Sequence, residues 1–369
     1  MWFLSDETLE KISQELIELY NRAEKIAHRI DEKWLEMPES VECHACGVDG
    51  SRAIERLTGI VLYSVSAVSV GKEIREMSEI TTLTPHINID ERVRLHMHTS
   101  EFRIGSFAEE ELVLIDGSLR GAFIRPPAYT DDPEKLMESY ELEALVEDFL
   151  AVLEKHFENL EKDLREGKAK KNYLLTREKI FRDMEEGYRK GKGNMEDLMI
   201  LFEYIEYLHA LNKLLDKKAV FVAKSFYTHE FDEKINDIAI LQILALKQFG
   251  FEKSGYFPFK QGTKKTLPWF VIKYREHFKN LFKDINSAFV RFEDSENIYL
   301  VESIQRIEEE LIGKLKSLEV HGYPLVLIHA HEHAKIRKIE MRKIIKSLLP
   351  LLDSRLDFLL KSGREVLES

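Results

Sequence analysis

After a short MWFL start the chain runs SDETLEKISQELIELYNRAEKIAHRI, a serine cap and an acidic first turn followed by apolar residues at three- and four-residue steps, which predicts a helix. CGVDGSR then reads as a strand end and a turn, and the β-branched, partly alternating GIVLYSVSAVSVG as a strand. A polar stretch leads to LHMHTSEFRIGSFAEEE, which reads as a helix, and then to LVLIDGSL, a continuous apolar run of the kind buried on both faces of a sheet. GAFIRPP extends that strand or starts another and stops at its prolines. Further on, Val146, Phe149, Leu150, Leu153, Phe157, Leu160 and Leu164 mark an amphipathic helix, and MEDLMILFEYIEYLHALNKLL another. KAVFVAKSF, WFVIKY, SAFVRF and IYLVES read as strands. SIQRIEEELIGKLKSL reads as a helix, YPLVLIHAHEHAKIRKIEMRKIIKSLL as an approach strand running into a helix, and SRLDFLLKSGREVL as a closing helix.

Strands before and after a helical interruption predict one mixed sheet carrying helices, an α/β fold with a helical insertion or arm. The expected boundaries are an N-terminal helix over 1–40, a core over 41–130 and 217–369, and the insertion over 131–216. With 369 residues the chain suits one large domain or two modest ones.

The net charge of −12, from 54 basic and 66 acidic residues, argues against non-specific coating of DNA or membrane, although a local basic groove is compatible with it. The N-terminus lacks the basic start and long apolar core of a signal peptide, and no run approaches the ~18 apolar residues of a membrane span. A cytoplasmic protein with no membrane partner is expected. Cys43 and Cys46 form a single Cys-x-x-Cys with no second pair, short of the four ligands of a structural zinc. They read as small buried thiols on the strand before Asp49.

Two Asp-Gly-Ser stretches follow apolar runs, at Asp49 and Asp116. An aspartate at the end of a buried strand is costly unless paired or bound to a cation, and glycine beside it permits close backbone approach. Two such aspartates on neighbouring strands would make a hard-oxygen site suited to Mg2+ or Mn2+, ions used in phosphoester cleavage. Two other readings stand beside this one. Each stretch could be a turn with Asp capping backbone N–H groups, or the pair could cradle phosphates as in actin-like ATPases and sugar kinases. Glu101, on the helix before the second strand, could add a third carboxylate, with Glu109, Glu110 and Glu111 as competitors.

His329, His331 and His333 alternate in IHAHEHA; a strand would put all three on one face, a helix only the first and last. Imidazole binds Mn2+ and exchanges protons near neutrality. Tyr323 could hydrogen-bond a phosphate or the attacking water. Lys224, in AVFVAKSF, if buried needs an anion, either a site carboxylate or a DNA phosphate, and at an edge position would snorkel out to solvent. The basic loops GKAKKN, YRKGKG and KQGTKK could track a phosphate backbone or be solvated turns.

In order and spacing, VDGSR, LIDGSL, AKSF and GYPLVLIHAHEHAKI resemble the motifs of the NurA nuclease family from about residue 45 to 345, the helical middle matching in character only. The resemblance implies an RNase H-like core and a Mn2+-dependent site, with Mg2+ as the alternative ion. It places the family's carboxylates on Asp49, Glu101 and Asp116, its histidine on His331, its tyrosine on Tyr323 and its strand lysine on Lys224. The histidines flanking His331 depart from the family's block and leave open which imidazole binds metal. The implied activity is cleavage of single- and double-stranded DNA, 5′ to 3′ exonucleolytic and endonucleolytic on single strands. The implied partners are a second copy in a homodimer and a HerA-type hexameric ATPase that translocates DNA, acting in end resection for recombinational repair. An actin-like ATPase and a non-catalytic adaptor of a DNA motor are the alternatives.

Overall fold

The structure is a computed structural model describing residues 5–30, 33–84, 88–124, 126, 128–129, 133–168, 173–247, 254–260, 266–293, 295, 297–336 and 338–351. The expected closing helix lies outside these residues. In chain order, α1 (Asp6–Ile30) and the short β1 (Leu35–Glu36) precede a meander of β2 (Ala45–Arg56), β3 (Val61–Val70) and β4 (Ile74–Leu83). There follow α2 (Ile89–Ser106), β5 (Leu112–Asp116), α3 (Leu119–Ala122), α4 (Glu134–Ser139), α5 (Leu142–Arg165), α6 (Lys179–Tyr188) and α7 (Met195–Leu214). Next come β6 (Ala219–Ala223), α8 (Asp237–Lys247), β7 (Gly255–Phe259), α9 (Trp269–Lys273), β8 (Asn286–Arg291) and β9 (Tyr299–Ser303). The described part ends with α10 (Glu309–Ser317), β10 (Glu319–Val320), β11 (Tyr323–Pro324), α11 (Leu325–Ala334) and α12 (Lys338–Leu348).

Among the described residues nine strands form one mixed sheet in the order β1-β7-β8-β9-β6-β5-β2-β3-β4. Its heart is the antiparallel meander β2-β3-β4, extended by β5 parallel to β2 and β6 parallel to β5. Alternation along β5 shows how the sheet is covered. Val113 and Ile115 face a core shared with α2, α5 and α7, whereas Leu112 and Leu114 face one shared with α10 and α11. A strand apolar on both faces is therefore the centre of a three-layer stack.

Several expectations give way. VDGSR is not a turn: β2 runs through it, because β3 pairs with it from Gly47↔Val70 to Arg56↔Val61 and satisfies its backbone. GAFIRPP forms no strand; Ser118 accepts a hydrogen bond from the Gly121 backbone N–H (3.1 Å) and starts the short α3 instead. WFVIKY is the helix α9 rather than a strand, and the approach to the histidines is only the two residues of β11 before α11 begins. In both cases a short apolar run fits a buried helix as well as a strand. Strands β4, at one edge, and β7, next to the other, and helix α8 were not apparent in the pattern.

The helical segment between β5 and β6 packs down and does not project as an arm. α7 is buried along nearly its whole length against α2. Arg92 meets Glu203 in a two-pronged pair, both bonds 2.9 Å, and Arg103 meets Glu206 at 2.5 Å, all four side chains inaccessible to solvent. These pairs fix the angle of α2 over the sheet.

Candidate active site

Asp49 follows Val48 in β2 and Asp116 follows Ile115 in β5, and Val48 pairs with Ile115 in the parallel register. The two aspartates thus stand side by side where β5 stops and β2 continues. The adjacency expected of them is met, although only Asp116 ends its strand. Asp49 is 9% exposed and accepts hydrogen bonds from its own Gly50 N–H (2.8 Å) and from His331 Nδ1 (2.7 Å). Burial and the neighbouring carboxylates of Glu101 and Asp116 push its carboxyl up to about 6, against the pull of His331 and Gly50.

Glu101 comes from α2 and is 2% exposed. A Cβ at Gly50 would overlap its carboxylate, so the absent side chain is the space through which Glu101 reaches Asp49. His98, one helical turn earlier, hydrogen-bonds Glu101 through Nδ1 at 2.6 Å and orients it. The sequence reading did not single out His98, although its place three residues before a candidate ligand on a helix was a visible signal. Glu110 and Glu111 serve elsewhere: Glu110 accepts from the Lys72 N–H and Glu111 pairs with Lys314.

Lys224 lies just past the end of β6, half-exposed, and its ammonium is 2.7 Å from Asp116 Oδ2. It also sits over the Tyr323 ring, 4.4 Å from the centroid. Tyr323 is buried, and burial together with Asp116, Tyr299 and Asp49 pushes its phenol far up, so it stays a proton donor. The helical setting of the histidines separates them. His331 meets Asp49, while His329 and His333 share another, exposed side of α11. α11 can approach because Gly47 of β2 has no side chain where Val326 passes.

Behind Asp116 the chain is tied down. Gly117 takes φ +144°, a backbone conformation that favours glycine. Ser118 donates to the buried Glu302 (2.7 Å), which also accepts from the Arg120 N–H (3.2 Å) and pairs with its side chain (2.9 Å). A cavity of about 250 Å3 opens beside Glu101 and Asp116, walled by Leu95, Phe102 and Tyr207 with Arg94 at its lining.

The donor set suits a hard divalent cation: three carboxylates from three elements and one imidazole, with burial and then the like charges raising Asp49. Among the described residues no three such side chains already stand at cage spacing. His331, His98 and Lys224 each hold one carboxylate oxygen, so binding an ion requires these partners to yield. The phosphate-cradle reading loses its basis at the first stretch, because Asp49 lies in a strand paired with β3 and not in a loop.

The NurA domain family matches residues 43–336, a span containing every residue of this cluster. The DNA double-strand break repair nuclease NurA of Pyrococcus furiosus is 28% identical, with 100% of both chains covered. A protein of Methanocaldococcus jannaschii named only as uncharacterized is 31% identical, with 90% of each chain covered. A crystal structure of NurA bound to dAMP and manganese superposes with a TM-score of 0.82 at 28% identity, covering 97% of this chain and 100% of that one.

Proposed function

The chain belongs to the NurA family, and from that premise we propose that it is a metal-dependent DNA nuclease, hydrolysing phosphodiesters with Mn2+ held by Asp49, Glu101, Asp116 and His331. The observation that carries the reading is the convergence of three carboxylates: Asp49 and Asp116 stand side by side in the β2–β5 register and Glu101 of α2 comes in over Gly50, a crowding that is costly unless a cation joins them. The manganese bound in a related NurA crystal structure supports that ion, with Mg2+ as the alternative. Bound there, a hard cation would lower the pKa of water and offset charge developing on the phosphate. The chain's own residues do the rest. Lys224, half-exposed beside Asp116, turns to the substrate phosphate. Tyr323 supplies a hydroxyl that stays protonated. His98 and the β2–β5 register hold the carboxylates in place.

The finer reading is 5′ to 3′ exonuclease action on single- and double-stranded DNA with endonuclease action on single strands. In it a homodimer works with a HerA-type translocase in end resection for recombinational repair. The acidic chain favours this arrangement, since its DNA would be delivered by a partner rather than gathered by charge.

Digestion of single- and double-stranded DNA with Mn2+ or with EDTA tests the core of the proposal. Cutting is expected only with Mn2+ and is lost in Asp49→Ala with the melting transition retained. Cutting in EDTA, or full activity in Asp49→Ala, overturns it.

A further inference from the structure

The segment after β6 leaves the sheet beside the carboxylate cluster and is pinned at several points. Phe226 is buried and stacks on Phe289 of β8, ring centroids 5.4 Å apart. Its carbonyl accepts from Asn236 Nδ2 at 3.3 Å. Asp237, fully buried, accepts from the backbone N–H groups of Glu230 (2.8 Å) and Phe231 (3.0 Å), and its own N–H returns to the Thr228 carbonyl (3.0 Å). Asp232 accepts from the N–H groups of Lys234 and Ile235 and pairs with Arg22 of α1 at 2.6 Å.

Within this fixed loop Phe226 and Thr228 are buried and the residue between them is not. Tyr227 is 85% exposed, the most exposed large apolar side chain among the described residues. An aromatic ring held out in water on a rigid support gains nothing for the fold. It lies three residues beyond Lys224, whose ammonium touches Asp116, so its Cα is at most ~11 Å from that of Lys224. That distance is about three steps along one strand of DNA.

We propose that Tyr227 is a stacking platform for an unpaired nucleobase of the strand being cut, an assignment that rests on the nuclease reading above. Every base has a π-face, so such a platform holds single-stranded DNA without regard to sequence. A base inside a duplex has both faces covered by its neighbours, so the platform acts on single strands and frayed ends. Because the loop is fixed by Asp237, Asn236 and Phe226, little order has to be gained on binding.

The test uses the full chain, with Ca2+, a cation of the same oxygen preference, replacing Mn2+ for binding. The probe is an oligothymidylate in which one thymine at a time is replaced by 2-aminopurine. Quenching at one position near the site is expected for the wild type, Tyr227→Phe and Tyr227→Trp, and is lost in Tyr227→Ala. Affinity for the single strand falls roughly 5- to 150-fold in the alanine variant. With Mn2+ the loss appears in KM rather than kcat, and blunt duplex is handled alike by all four chains. Unchanged binding by Tyr227→Ala, or failure of Tyr227→Phe to keep the quenching, overturns the platform. The two readings fail separately: absence of Mn2+-dependent cutting by the wild type removes the nuclease, whereas unchanged binding by Tyr227→Ala in a chain that cuts removes the platform alone.

Discussion

Asp49-Gly50-Ser51 and Asp116-Gly117-Ser118 are the same three residues after an apolar run, and the fold uses them differently. The first stays extended inside β2, and Gly50 is there for space, because Glu101 crosses where its side chain would be. The second ends β5, and Gly117 is there for its dihedral: φ is +144° and a Cβ would meet nothing within 4 Å. The serines diverge as well. Ser51 accepts from the Ile336 N–H and ties down the chain after α11, whereas Ser118 caps α3 and engages Glu302. Only the aspartates converge on one role, side by side in the parallel register. A repeated motif here is two local solutions that deliver one pair of carboxylates.

The largest expected effect falls where the two stretches agree. Asp49→Ala and Asp116→Ala each abolish Mn2+-dependent cutting, and neither lowers the melting temperature of the metal-free protein appreciably, since each removes one of three crowded like charges. Nuclease assays alongside thermal melts check this. Activity that survives in one variant alone would mean that the pair does not act as a unit.

Where the stretches differ, alanine should separate them. Gly50→Ala pushes on the Glu101 side chain, which can swing aside at small cost to the fold but not to the site; a large loss of activity with a nearly unchanged melt is expected. Gly117→Ala meets no atoms but forces a non-glycine residue into an unfavourable φ, at a cost on the order of 1–3 kcal/mol; the melt falls and part of the activity remains. If both variants lose activity and stability in the same proportion, space and dihedral are not the separate functions argued for them.

The legible parts were those whose cause is local. The run LVLID reads as a doubly covered strand because each side chain is apolar, and Asp116 stands out as the first that is not. The neighbourhood of Asp49 and Asp116 was readable for the same reason. That β2 continues through Gly50 was not, because what keeps it extended is β3, whose pairing cannot be seen in seven residues. The helical middle was legible as helices but not as a packed layer: Arg92 and Arg103 look like solvated charges until Glu203 and Glu206, a hundred residues on, are brought against them. The choice among the three histidines waited on α11 being a helix, since an apolar run of that length fits either element.

The smallest expected effect is one of pH, and it belongs to the first stretch. The Asp49 carboxyl is raised from 3.8 to about 6 in the fold. A group raised on folding binds its proton more tightly in the native state, so its stabilising contribution is fully present below 3.8 and is lost as pH rises through about 6. Melting curves of the metal-free wild type should therefore gain on those of Asp49→Asn as pH falls from 7 to 4; parallel curves would remove the crowding argument. Activity has the opposite sign, because the proton and the cation compete for one carboxylate. At limiting Mn2+ cutting should fall as pH drops past about 6, and added Mn2+ should move that fall to lower pH. A fall that Mn2+ does not move would mean that the proton lost at Asp49 is not the one the cation displaces.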